Sequence, residues 1–167
     1  MNAPEGGRGP DRGREAVYAA EEAAFGGTDL DRPVPFDDLT ALTAGVVASD
    51  WWVACGAPPV EVVGAPGASS SSARGGTGPG PGVLIRLAPP QWTAGTVAHE
   101  LGHALAGVAH GHDGCFRAAH VDVVAMIAGA GLAAVLAGAY IAHDVPPGDR
   151  SWPPPERARG HGFVVVP

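Results

Sequence analysis

Lysine is absent from the 167-residue chain: all ten basic residues are arginine, and asparagine occurs once. Against 17 Asp and Glu, these give a formal net charge of −7 and a pI near 5.3. A chain this acidic, with its arginines scattered, lacks the clustered basic face of a nucleic-acid binder, so no nucleic-acid partner is expected. Cys55 and Cys115 are the only cysteines, too few for a disulfide framework. Free thiols in a reducing cytoplasm are the simpler expectation. The opening MNAPEGGRGPDRGRE has no apolar h-region, so no secretory signal is expected. One long uncharged run exists, Val123–Ala142. It meets the length rule for a spanning helix, but it is rich in Ala and Gly and no basic cluster flanks it to set an orientation. A buried helix is the favoured reading, and a membrane partner is not expected.

Glycine and proline are abundant instead, at 26 and 17 residues. Because 46% of the chain is still apolar, the core residues must be concentrated between Gly/Pro-rich segments. Residues 1–12 and the Pro-rich 146–167 are expected to be disordered, leaving one domain over 13–145. Helices are predicted at Arg14–Phe25, Phe36–Trp52, from Gln91 or Thr93 to Ala109, and over Asp113–His143. Val60–Val63 and Val83–Leu87 read as strands, joined by a Gly/Ser/Pro segment, 64–82, that is flexible by composition. The fold class is therefore α+β, mostly helical, with a small sheet.

The stretch that carries chemistry is Thr96-Val-Ala-His99-Glu100-Leu-Gly-His103-Ala-Leu105. In H-E-x-x-H, two histidines one helical turn apart can reach a single ion. Zn²⁺ is the default because it takes neutral imidazole nitrogens in tetrahedral geometry. Glu100, on the flank, has the position of a general base toward water. At about 100° per residue, Val97, Leu101, Leu105 and Val108 share one stripe, and His99 and His103 lie opposite it. The bland alternative is a solvated helix with incidental histidines.

A catalytic zinc needs a third protein ligand. The extended metzincin form is excluded, because its glycine and last histidine would fall on Ala106 and Ala109. His112 leads the remaining candidates. It sits after Gly111 at the mouth of the last helix, and Phe116 one turn later can anchor that helix on the core. His110 follows, then His120 or an acidic ligand, Asp113 or Asp122. His120 and Asp122 also read as partners that orient a ligand imidazole, and Cys115 as a small packing residue.

The block Val83-Leu-Ile-Arg-Leu-Ala-Pro-Pro-Gln-Trp92, the H-E-x-x-H helix and His112-Asp-Gly-Cys-Phe116 together resemble the small actinobacterial and phage family of HExxH metallohydrolases. Tyr18-Ala-Ala-Glu21-x-x-Ala24, Val34-Pro35 and Trp51-Trp52 fit that layout too, so the likeness covers roughly residues 14–145. The sequence is also distantly similar to the SprT-type zincins, in which a histidine followed four residues later by Phe supplies the third ligand. The resemblance implies a zincin-like domain with its sheet packed on the HExxH helix. It also implies His99, His103 and His112 as zinc ligands and Glu100 as the base. The long 64–82 segment and the missing basic surface depart from the SprT pattern.

These readings lead to a cytoplasmic zinc metallopeptidase acting on a peptide or protein, with strand Val83–Leu87 lining the cleft and pairing with substrate. Tyr140, His120 and Arg117 are the candidate oxyanion stabilisers. The rivals are a non-catalytic zinc module with a closed four-ligand site and a membrane-anchored HExxH protease.

Overall fold

A computed structural model describes residue 11 and residues 13–76 and 80–156. Its helices are α1 (Arg14–Phe25), α2 (Phe36–Val47), α3 (Asp50–Ala54), α4 (Ala94–Ala106), α5 (Gly114–Ala128) and α6 (Ala130–Ala142). Its strands are β1 (Val60–Gly64), β2 (Ser72–Gly75) and β3 (Val83–Leu87). The architecture is α+β and mostly helical, with a three-stranded sheet against α4.

The first helix has the predicted limits, because Gly13 precedes it, Gly26-Gly27 follows it, and Val17, Ala20 and Ala24 form its buried stripe. The predicted helix 36–52 divides instead. Ser49 interrupts it and caps α3, its hydroxyl accepting from the Trp52 amide at 3.2 Å; such a side-chain acceptor starts a new helix rather than continuing the old one.

The strand pair is not a hairpin. β1 and β3 run parallel, and the intervening segment, expected to be flexible, supplies β2, which pairs antiparallel with β3. The order is β1-β3-β2. Side chains pin the entry to β2: the Ser71 amide donates to Gln91 Oε1 at 2.5 Å, and Ser71 Oγ accepts from the Ala88 amide at 3.0 Å. Since β3 is the inner strand, its ladder is filled on both sides and it cannot pair with a substrate. The free edge next to α4 belongs to β2. Residues 77–79 of the segment lie outside the described residues.

The helix α4 lies at the centre. Thr93 caps it by accepting from the Thr96 amide at 3.1 Å. Val97, Ala98 and Leu101 are fully buried, and His99 and Glu100, at 6% and 5% exposure, are buried too, which is not the solvated helix with incidental histidines. The far side is covered by α1 and α5. Close approach of α5 requires Gly102, where a Cβ would stand 3.2 Å from the Cα and Cβ of His120.

The uncharged run 123–142 is not one helix. Gly129, at φ +89°, divides it into α5 and α6, which pack on each other. Among the described residues no helix is long and apolar enough to cross a membrane.

The region after 145 also departs from the expectation of a solvated tail. The Gly148 amide donates to the Gly114 carbonyl at 2.8 Å. Arg150 forms a bidentate pair with Asp122, both contacts at 2.8 Å. Trp152 is buried and donates to Asp122 at 2.9 Å, and Trp51 donates to the Pro153 carbonyl at 2.9 Å. Proline-rich composition had signalled disorder, but two side chains with large contact area fix this strap. Residues 157–167, like 1–10 and 12, lie outside the described residues, and with them the rest of both expected disordered ends.

Candidate metal centre

His99 and His103 lie one turn apart on α4, and His112 approaches from the turn before α5. That turn is set by Asp113, whose carboxylate accepts from the Cys115 and Phe116 amides at 2.9 and 3.1 Å. The Nε2 atoms converge: His99 to His103 is 3.2 Å and His99 to His112 is 3.1 Å. Nitrogens about 2.0–2.1 Å from a shared tetrahedral zinc stand roughly 3.3 Å apart, so the donor set fits that ion in type and spacing. Phe116, fully buried, stacks on the His103 ring at a centroid distance of 4.2 Å, and this fixes the ring plane.

The remaining candidates go elsewhere. His110 bonds to Asp113 at 2.8 Å and forms, with Cys115, a separate exposed group. Asp122 faces Arg150 and Trp152 rather than a ligand imidazole. His120 is fully buried behind His99 and bonds through Nδ1 to Tyr140 Oη at 2.7 Å, while its Nε2 has no partner among the described residues. Tyr140 and His120 are therefore core groups, and Arg117 is used on the His112 and Pro146 carbonyls. None of the three expected oxyanion stabilisers borders the cleft.

That cleft, of about 460 Å³, lies between α1, the Ser70–Ser71 entry to β2 and the start of α4, and it opens onto His99 and Glu100. Glu21, Glu22, Asp31 and Glu100 contribute carboxylates to it, and no arginine among the described residues lines it. Among the described residues, Glu100 Oε2 is buried and without a hydrogen-bond partner. Burial pushes the Glu100 carboxyl up to about 7, against the pull of His99, with the Glu21 charge adding to the rise and the Ala73 amide opposing it.

Three groups on α1 and just before it bear on the site in a way that their local sequence does not signal. Glu21 Oε1 accepts from His99 Nδ1 at 2.6 Å. Asp11 Oδ2 accepts from His112 Nδ1. Tyr18 lies against both rings, 5.6 Å from His99 and 5.5 Å from His112 between centroids, and borders the cleft. Burial disfavours charge on His99, but the Glu21 carboxylate outweighs it and raises the imidazole above its ordinary value.

For two other histidines burial prevails. His103 is pushed down to about 2 by burial and the neighbouring imidazoles, and His120 down to about 3 by burial despite the Glu21 charge. Their unfolded values lie near 6.5, so the unfolded chain binds more protons below that pH. Their contribution to stability is present above 6.5 and is lost as pH falls. Glu100 acts in the opposite sense, over the narrower span from 4.5 to about 7. The metal-free protein is therefore expected to melt at progressively lower temperature from pH 6.5 to 4. A midpoint constant over that range contradicts burial of His103 and His120 as neutral rings.

The arrangement thus comprises an α+β domain, three imidazoles aimed at one point and a buried carboxylate beside them. Compared with protein-family models, with curated proteins and with solved structures, the chain matches none.

Proposed function

We propose that the protein is a zinc-dependent metallohydrolase of zincin-like design, acting on amide bonds of a peptide or protein. The observation that carries this reading is the convergence of three Nε2 atoms beside a buried carboxylate oxygen that has no partner among the described residues. His99, His103 and His112 would hold the ion, which when bound acidifies water and polarises a carbonyl. Glu100 accepts a proton from the attacking water and delivers it to the departing nitrogen.

Substrate contacts follow from the cleft. The outer edge of β2, which no other described strand covers, is open to an extended peptide. Tyr18 accepts from Arg14 Nε at 3.3 Å, which leaves its own proton free to donate to a developing oxyanion. Carboxylates line the cleft, which favours a cationic or neutral segment over a polyanion such as nucleic acid. Both described cysteines are free, in keeping with a cytoplasmic setting.

A closed structural zinc site fits less well. Among the described residues the cluster holds three ligand atoms, and His110, Asp122 and Cys115 are outside it. A structural site also has no use for Glu100. The membrane-anchored alternative loses its span at Gly129.

The test is hydrolysis of a quenched-fluorescence peptide library before and after chelation. Zinc-loaded protein is expected to cleave a subset of peptides, to stop after dialysis against chelator, and to recover on one equivalent of zinc. Cleavage unaffected by chelation contradicts the proposal.

A further inference from the structure

Two of the three clustered imidazoles are held from behind by carboxylates, and both carboxylates come from one short stretch that supplies no ligand itself. Glu21 accepts a hydrogen bond from Nδ1 of His99, and Asp11 one from Nδ1 of His112. A carboxylate can only accept here, so each ring keeps its proton on Nδ1 and turns a bare Nε2 toward the cluster. Among the described residues His103 has no carboxylate partner, and it is positioned by stacking on Phe116 instead.

The backbone around Asp11 is seated equally closely. Gly13 lies so near His112 that a Cβ there would come within 2.8 Å of the His112 carbonyl oxygen. Its φ of −97° is open to any residue, so only this approach excludes a side chain. The Arg14 amide closes a turn on the Asp11 carbonyl at 3.2 Å, and Tyr18 covers the edges of both rings. Glu21 does not read as a ligand of a second ion with His99 and His120. His99 Nδ1 is already committed to it, and His120 Nδ1 is engaged by Tyr140.

We propose that Asp11 together with Gly13 and helix α1 (Arg14–Phe25) is a working part of the metal centre. Asp11 and Glu21 are positioning residues for His112 and His99, and zinc occupancy and seating of the segment stabilise one another. This rests on the zinc-ligand reading above. Because linkage is reciprocal, whatever factor the seated segment adds to zinc affinity, zinc returns to the seating equilibrium. Partners of this kind are worth about 10–100-fold in metal affinity.

The test uses the full chain and zinc alone as probe, with a chromophoric chelator as competitor and amide hydrogen exchange as the second readout. Asp11→Ala, Glu21→Ala and Gly13→Ala are each expected to weaken zinc binding at least tenfold, and Glu21→Gln, which keeps an acceptor, to restore part of the loss. In the wild type, zinc is expected to slow exchange across α1, and in Asp11→Ala to slow it less. Asp11 is partly exposed at the surface, so its variant tests the idea even if Glu21→Ala fails to fold. Wild type that binds zinc, with Asp11→Ala within twofold of it and no zinc-dependent protection of α1, overturns the coupling alone. Wild type that binds no zinc overturns the ligand reading and the coupling together.

Discussion

Trp152→Ala is expected to lower the unfolding free energy by about 3–5 kcal/mol, the range for truncating a large buried aromatic. Residue 152 lies seven residues beyond the last position of the sequence-defined domain, yet its ring is 7% exposed and its Nε1 donates to Asp122. Asp122 is itself buried and depends on two donors, Trp152 and Arg150. Removing the indole opens a cavity and takes one of those donors from a buried carboxylate. Arg150→Ala is expected to cost less, because its side chain is 42% exposed and water screens the pair. Denaturant unfolding of the two variants measures both costs. A loss below about 1 kcal/mol for Trp152→Ala would mean that the strap merely lies on the surface.

Glu100→Gln is expected to lower turnover by about 10²–10⁴-fold, the usual contribution of a general base, while zinc content stays at the wild-type level. Gln has the shape of Glu but cannot take up a proton, and Glu100 is not one of the three converging nitrogens. Stability should move the other way. The Glu100 carboxyl is raised to about 7, so its favourable contribution is complete only below the unfolded value and is lost as pH rises through 7. The metal-free Gln variant carries no such loss and is expected to melt higher than wild type at pH 8. Reduced turnover with an equal or higher melting temperature separates a chemical role from a structural one. Full activity in the variant rules out Glu100 as the base.

What the sequence disclosed follows from the range of the forces involved. The bounds of α1 were legible because glycines punctuate both ends and its buried residues recur at helical spacing. Likewise β3 was legible as a short apolar run beside Pro89-Pro90. The histidine set was legible because His99 and His103 are tied by one helical turn and His112 by a short bend. Where a signal depends on partners far along the chain, nothing local announces it. Glu21 reaches a histidine 78 positions away and Asp11 one 101 positions away, and each looks in isolation like an ordinary solvated acid. The Ser72–Gly75 strand is polar and forms only because β3 presents an open edge. The division at Gly129 was hidden in a run where Ala and Gly recur without a charge to mark the turn. In the strap, Arg150 and Trp152 are single residues within a proline-rich stretch, and only the buried Asp122 gives them a place to go.

The central claim is that one zinc ion is held by His99, His103 and His112. Its most direct test is the metal content of purified wild type, His112→Ala and His110→Ala by elemental analysis. One equivalent of zinc in wild type and His110→Ala, with little or none in His112→Ala, is the expected result. Retention of a full equivalent by His112→Ala, or its loss from His110→Ala, would contradict the assignment.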